Sequence, residues 1–390
     1  MKKIIWLASW YPSDTNPYTG DFIERHAIAA SLRNDVQVLH VVKDNRGTFS
    51  EKKKEEHRQY VHHGAKATII YFKTPGFHWG WLEKLYSNYV YLKIHADYIK
   101  KYISRKGRPD GIHVHIGMKA GMAALLAKRK YGIPYVVSEH WSGLCPEARP
   151  HFKGKSVFFR KLWNRAMKNA SGYTAVSEYL AHSMEQLFSL KKKVQVIPNV
   201  VNTEIFFPLA NSDKKNQFIH ISTLTYQKNA EQILEAAAIL KKQSPSFSLL
   251  IFGEPNDHLL NLCRSLDIQD VIIFKRSCPQ EELAKYIQES LALILYSRFE
   301  TFGCVIIEAN ACGKPVIVSD IAVFHETVES GVNGVFVSLN NPILLAKTML
   351  SLVSGQRTFD ASLIEKQARA KYAFNRIGDQ FSAFYEDHFS

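Results

Sequence analysis

Two successive series of short apolar runs, each run separated from the next by a helix-length amphipathic stretch, constrain the fold of this chain more than any other feature. The first series is 3–8 (K-I-I-W-L-A), 36–42 (V-Q-V-L-H-V-V), 68–72, 111–115, 134–138 (P-Y-V-V-S), 173–176 and 194–197. The second restarts at 218–222 (F-I-H-I-S) and continues through 248–252, 271–274, 291–295, 315–318 and 334–337. Strands that are apolar throughout, rather than at every second residue, are buried on both faces, so the pattern predicts parallel sheets covered by helices on each side. Two series predict two doubly wound α/β domains. A chain of 390 residues with 46% apolar content can bury a core in each. The polar segment 202–216, which contains Pro208, is the expected joint.

Charge is distributed unevenly. Residues 1–200 carry 33 Lys and Arg against 15 Asp and Glu, whereas residues 201–390 carry 17 against 21. A basic front half invites an anionic partner: a membrane surface, a phosphate-bearing acceptor or nucleic acid. No nucleic-acid recognition motif accompanies the charge, so nucleic acid is not expected. The five cysteines form no C-x-x-C pair, which reads as reduced thiols in a cytoplasm. Cys304 and Cys312, four residues either side of Glu308, read as small helix residues packed inward. No run of eighteen apolar residues occurs, and the apolar start after Lys2-Lys3 is too short for a signal-peptide core. Leu82, Leu85, Tyr89, Leu92, Ala96, Ile99 and Ile103 recur at helical spacing, with Lys84, Lys93, Lys100, Lys101 and Arg105 off that face. Such a helix either packs on the first sheet with a solvated basic side or turns a basic, aromatic surface toward a membrane.

In open parallel sheets ligands bind beyond the carboxyl ends of the strands. The run 291–295 is followed by Y-S-R-F-E-T-F-G-C-V-I-I-E-A-N-A-C-G-K-P-V-I. Glu300 falls in the loop, and Gly303 is expected to open a helix to about Ala311. The N–H groups of Thr301, Phe302 and Gly303 then sit at a helix N-terminus, which favours an anion. Glu308, one and a half turns in, can accept two hydrogen bonds from a vicinal diol such as that of ribose. Lys228 follows the run 218–222, where a cation can reach a diphosphate. His140 follows 134–138, Gly20 lies in a turn region after 3–8, and Arg276 follows 271–274. Each has a plainer reading: a loop histidine bonded to backbone, a turn glycine, an exposed arginine.

The stretch E-T-F-G-C-V-I-I-E-A-N-A-C-G-K-P-V-I resembles the signature of retaining glycosyltransferase family 4, the bacterial group 1 glycosyl transferases. Further landmarks of that family occur in order: G-D-F near residue 20, H-V-H at 113–115, I-P-Y-V-V-S-E-H-W at 133–141, V-I-P-N at 196–199, L-T-Y-Q-K-N at 224–229 and F-G-E-P at 252–255. The resemblance implies a GT-B fold, two Rossmann-like domains facing a central cleft. On this reading residues 1–205 form the acceptor-side domain, 206–373 bind the nucleotide-sugar, and the final helix, 374–390, returns to the first domain. The apolar positions Phe374, Ile377, Phe381, Phe384 and Tyr385 give that helix its face.

By the same resemblance Glu300 would touch the transferred sugar and Glu308 the ribose. Lys228 would neutralise the diphosphate, Gly20 would lie near donor and acceptor, and His140 would approach the sugar. The expected activity is retaining transfer from a UDP- or GDP-linked sugar to a saccharide or lipid-linked saccharide, in surface polysaccharide or lipopolysaccharide biosynthesis. The expected place is the cytoplasm, peripherally on the inner face of its membrane. No cofactor is expected, because the nucleotide-sugar is a substrate. No Asp-x-Asp occurs, so no metal clamp is expected. The chain departs from the family at Ser222-Thr223-Leu224, where a basic residue is usual before the lysine, and at Ala322-Val323, where a glycine pair is usual. These departures would also suit a non-catalytic sugar-nucleotide-binding module. A nicotinamide oxidoreductase would share the doubly wound sheet, but no G-x-G-x-x-G follows the first strand.

Overall fold

A computed structural model describes residues 1–59, 64–76, 78–209, 216–243 and 246–389. The polar cluster of the expected joint, 210–215, lies outside the described residues. The chain divides into two compact units, one of Met1–Val200 with Phe374–Ser390 and one of Val201–Ala373.

Unit one runs β1 (Lys3–Ala8), α1 (Asp21–Ser31), β2 (Asp35–Lys43), β3 (Lys53–Gln59), β4 (Lys66–Phe72), α2 (Gly80–Lys106), β5 (Gly111–His115), α3 (Lys119–Tyr131), β6 (Tyr135–Glu139), α4 (Val157–Asn169), β7 (Gly172–Ala175), α5 (Glu178–Leu187) and β8 (Gln195–Val196). The strands form one sheet in the order β3-β4-β2-β1-β5-β6-β7-β8. Pairing is parallel except between β3 and β4. The central strands β1, β5 and β6 are buried almost end to end, as strands covered on both faces must be. The edge strand β3 corrects the all-parallel expectation. Its sequence, K-K-E-E-H-R-Q, alternates exposed with half-buried residues, as suits an antiparallel strand at a charged sheet edge.

Unit two runs β9 (Gln217–Ile221), α6 (Ala230–Lys241), β10 (Ser248–Phe252), α7 (Asp257–Ser265), β11 (Ile272–Lys275), α8 (Gln280–Glu289), β12 (Ala292–Leu295), α9 (Cys304–Ala311), β13 (Val316–Ser319), β14 (Gly334–Val337), α10 (Pro342–Val353) and α11 (Ala361–Tyr372). Its six strands are all parallel, in the order β11-β10-β9-β12-β13-β14. The core on one side of the sheet is filled by Ile233, Leu234, Ala237 and Leu240 of α6 with Leu345 and Met349 of α10.

The last helix, α12 (Phe374–His388), belongs to unit one. Phe374, Ile377, Phe381, Phe384 and Tyr385 join one core with Trp6 of β1 and Ile23, Ala27 and Ala30 of α1. Gly378 meets α1 so closely that a Cβ there would lie 2.4 Å from the Ala29 carbonyl oxygen. Trp6 Nε1 donates to Tyr385 Oη at 3.0 Å, and Tyr385 Oη lies 2.7 Å from His113 Nδ1. Tyr385 Oη thus bridges Trp6 to His113, whose Nε2 lies 2.6 Å from Ser138 Oγ. Helix α12 thus supplies apolar burial and also a buried polar anchor for β1 and β5.

Helix α2 turns a different face inward from the one its apolar spacing predicts. The buried residues are Ser87, Tyr91, Ile94, His95, Ile99 and Tyr102. Leu85 and Tyr89 are exposed. The buried stripe contains a serine and a histidine, which an apolar count passes over. His95 is accommodated by donating Nδ1–H to the Tyr91 carbonyl at 2.8 Å, and burial lowers its pKa to about 4.

Candidate functional site

In unit two the chain builds outward from β9 to β10 and β11, then returns to the other flank with β12. The order therefore reverses between β9 and β12, and the connections leaving these two neighbours splay apart at their carboxyl ends. Such a point makes a crevice in a doubly wound sheet. Lys228 lies on the connection after β9, and Glu300 on the connection after β12.

The β9 connection is tied down from within the sheet. His220 of β9 donates Nδ1–H to the Ile294 carbonyl at 2.8 Å, so its bare Nε2 accepts from Ser222 Oγ, also at 2.8 Å. Ser222 Oγ in turn accepts the Leu224 N–H at 3.1 Å. Burial lowers His220 to about 4, so this neutral arrangement holds at ordinary pH. Leu224 sits at φ 53°, a left-handed conformation held by that bond. A single helical turn, Tyr226–Lys228, follows, and Asn229 at φ 56° starts α6.

The turn delivers Lys228 to Glu300, and their side chains form an ion pair. Gln227 Nε2 donates to Glu300 Oε2 at 3.2 Å and to the Phe299 carbonyl at 3.0 Å. Ser297 Oγ donates to Glu300 Oε1 at 3.0 Å. Arg298 N–H donates to the Gln227 carbonyl at 2.8 Å, and its guanidinium lies 4.2 Å above the Tyr226 ring. Glu300 is 5% exposed, so its carboxylate is held by a cation and two neutral donors rather than by water.

Thr301, Phe302 and Gly303 follow directly. Phe302 is buried, its ring 5.9 Å from Tyr372. Gly303 caps α9 at φ 87°. The helix it opens, Cys304–Ala311, carries Glu308, 4% exposed, on its second turn. Cys312 is pushed up to about 12, first by burial and then by the Glu308 charge. Arg276 follows the edge strand β11, two strands from β9, and is exposed. Among the described residues no bond joins it to Lys228 or Glu300. Ala322-Val323 begins a short 3-10 turn with Val323 buried.

In unit one Gly20 starts α1 at φ 81°. A Cβ there would lie 2.6 Å from the Trp10 carbonyl carbon and the Tyr11 nitrogen, so only glycine fits. His140 follows β6, is 6% exposed, and stays neutral because burial lowers its pKa well below the usual imidazole value. Its Nε2 lies 3.3 Å from His115 Nδ1. The preceding Glu139 is fully buried. Burial raises its carboxyl to about 8, although Gly117 N–H donates to Oε1 at 2.7 Å.

The family model described as Glycosyl transferases group 1 matches residues 201–373, and that described as Glycosyltransferase Family 4 matches residues 26–205. Together they span both units. The chain belongs to the group 1, family 4 glycosyltransferases. It is 27% identical over 263 residues to an uncharacterized glycosyltransferase of Methanocaldococcus jannaschii, covering 67% of this chain and 71% of the relative. It is 30% identical over 181 residues to the O-antigen chain mannosyltransferase RfbU of Salmonella typhimurium, covering 45% of this chain and 50% of the relative. The fold matches that of Anabaena HepE in complex with UDP and glucose, with a TM-score of 0.74, 18% identity, and 99% and 100% of the two chains covered.

In this glycosyltransferase Lys228 and Glu300 pair in unit two, with Glu308 on the helix that follows, while Gly20 and His140 belong to unit one. Gln227, Ser297 and Arg298 were not expected from sequence. Their signal was adjacency alone: one residue before Lys228, and three and two before Glu300.

Proposed function

We propose that this glycosyltransferase moves a sugar from a UDP- or GDP-linked donor to a saccharide or lipid-linked saccharide, with retention at the anomeric carbon, in the building of surface polysaccharide or lipopolysaccharide. The observation that carries the donor half of this reading is the Lys228–Glu300 pair at the point where the unit-two sheet reverses. HepE, whose fold the chain shares, holds UDP and glucose in its own structure. RfbU is, by its name, an O-antigen chain mannosyltransferase.

The chemistry assigns the residues as follows. The bond from the anomeric carbon to the diphosphate breaks, a bond to the acceptor oxygen forms, and the acceptor proton passes to the departing phosphate. Charge builds on the diphosphate, so Lys228 and the amides of Thr301, Phe302 and Gly303 stabilise the transition state. Glu300 orients the reacting sugar, and Glu308 takes the ribose diol. His140, as a neutral imidazole, and Gly20 are assigned to the sugar side by the family resemblance. Arg276 is a lesser candidate for the phosphates, in the role that Thr223 cannot fill. No cofactor enters the reaction. With Lys228 in the cation's place, the reaction needs no Mg²⁺ or Mn²⁺. Donor turnover is expected to continue undiminished in EDTA, measured as release of nucleoside diphosphate from a panel of sugar nucleotides. Loss of turnover that Mg²⁺ or Mn²⁺ restores would overturn the metal-independent reading.

The acceptor half rests on unit one. Among the described residues no helix is long and apolar enough to cross a membrane. At the start of α2, however, Trp79, Trp81, Leu85, Tyr86 and Tyr89 are exposed together, beside Lys84 and Lys93. Exposed tryptophan and tyrosine flanked by lysine suit the headgroup layer of a bilayer. Each basic residue near an anionic surface contributes about 1 kcal/mol at low salt. Vesicle sedimentation is expected to show tighter binding to anionic than to neutral vesicles, weakening as salt rises. Equal binding to both would sink the electrostatic claim.

A further inference from the structure

His115, the second histidine of the H-V-H run, ends β5 and is fully buried. Trp6 stacks on it, with ring centroids 3.9 Å apart and planes inclined by 25°. Its Nδ1 lies 3.3 Å from Nε2 of His140, which follows the neighbouring strand β6. We propose that His115 is a positioning residue for His140, holding that ring in one orientation and in the tautomer that carries its proton on Nδ1. This deepens the assignment of His140 to the sugar and rests on it.

The contact couples the two rings. Both are neutral, because burial holds each pKa well below the usual imidazole value. A neutral imidazole has one N–H and one bare nitrogen. Two bare nitrogens facing each other make no bond, and two N–H groups clash, so one proton lies between the rings. If His115 donates from Nδ1, His140 accepts at Nε2 and carries its own proton on Nδ1. If His140 donates from Nε2, His115 carries its own proton on Nε2. Each choice leaves one N–H without a partner among the described residues: His140 Nδ1 in the first, His115 Nε2 in the second. Buried N–H groups are rarely orphaned. The first choice places the orphan on the ring that is 6% exposed, and the second on a ring with no exposure, stacked on Trp6. The first therefore costs less.

The backbone around both residues is pinned. The His115 carbonyl accepts the Ser9 N–H at 3.1 Å, and Ile116 N–H donates to the Ser138 carbonyl at 2.8 Å. Ile116 itself has φ 65°, a left-handed conformation that a β-branched residue takes only where its surroundings impose it. Gly117 N–H bonds to Glu139, so the residue before His140 is tied to the turn after His115. From α1, Phe22 and His26 close on His140 with ring centroids 4.9 and 5.4 Å away, and His26 Nε2 is held 2.9 Å from the Pro198 carbonyl. Packing confines the His140 ring, and the bond from His115 decides which edge of it faces β5.

The first test is spectroscopic. In the unaltered chain with isotope-labelled histidine nitrogens, the His140 signals, identified by their loss in His140→Ala, should show a protonated Nδ1 and a bare Nε2. A protonated Nε2, or an average of two tautomers, would overturn the proposal. The second test is kinetic, read as nucleoside diphosphate released from a panel of UDP- and GDP-sugars. His115→Phe keeps a ring on Trp6 but cannot bond to His140. It should lower kcat about ten- to a hundredfold with little change in donor KM, because a small displacement beside the reacting sugar is amplified in rate. His115→Asn, whose amide nitrogen can stand in for Nδ1, should keep most of the rate. In a His140→Ala background the phenylalanine should cost nothing further. Independent losses in that double variant, or an undiminished kcat in His115→Phe, would overturn the positioning role alone. An undiminished rate in His140→Ala would overturn the placement of His140 at the sugar, and this inference with it. If His115→Phe does not fold, the nitrogen spectrum of the unaltered chain decides.

Discussion

Glu300→Ala is expected to lower kcat by about ten- to a hundredfold while nucleoside diphosphate still binds. Removal of a hydrogen bond to a charged group costs roughly 1.5–3 kcal/mol, which sets that range. The effect should fall on kcat because Glu300 is assigned to the reacting sugar, where a small displacement is amplified in rate. Glu308→Ala should instead raise donor KM by a similar factor, because the ribose does not react and its contact is the same in ground and transition states. Initial rates across donor concentrations, with calorimetry for the diphosphate, separate the two. If Glu300→Ala abolished diphosphate binding and left kcat intact, the assigned roles would be reversed. The loop after β12 makes the experiment clean in one respect. Arg298 N–H still donates to the Gln227 carbonyl in the variant, so the connection keeps a backbone tie when the carboxylate is gone.

Lys228→Met should have the larger kinetic effect, a loss of about 10²–10³ in kcat, the range for deleting one preorganised donor at a developing oxyanion. It should also destabilise unit two. The lysine side chain is 20% and the glutamate side chain 7% exposed, so the variant leaves a buried carboxylate without its cation, while Gln227 and Ser297 still donate to it. A fully buried pair broken on one side loses roughly 3–5 kcal/mol, and partial exposure of the lysine reduces this to about 1–3 kcal/mol. Lys228→Met/Glu300→Gln should recover most of the stability and none of the rate. Urea unfolding of the three proteins measures the first, and product release the second. Recovery of activity in the double variant would show that Lys228 serves only to neutralise Glu300.

The sequence made some parts of this molecule plain and hid others for physical reasons. Apolar runs announce strands buried on both faces, and β1, β5, β9 and β12 begin and end within a residue of their predicted bounds. β3 escaped because an edge strand needs no apolar run: Lys53–Gln59 is paired by its backbone to β4 and shows water its charges. Helix α2 is legible as a helix but not in its rotation, because Ser87 and His95 sit on its buried face while Leu85 and Tyr89 do not. Lys228 and Glu300 stand out in the sequence because each lies on the connection that follows an apolar run. Their pairing across the sheet's reversal, and the service of Gln227 and Ser297 to one carboxylate, depend on strand order. The His26–His115–His140 cluster is less legible still. It joins positions far apart in the chain, and only the packing of α1 against the ends of β5 and β6 brings them together.

The placement of α12 has a bearing on how the protein can be made. Unit one is discontinuous, opened at Val200 and resumed at Phe374, so that unit two is in effect an insertion within it. The segment that closes unit one fills the space around Trp6 and caps the polar anchor at His113. A nascent chain emerging from its amino end can complete the second unit, whose residues are contiguous, before the first has received its last helix. Until α12 has been made, Trp6, His113 and the inner face of α1 lack their cover. Vectorial synthesis therefore presents the amino-terminal sheet first and finishes it last.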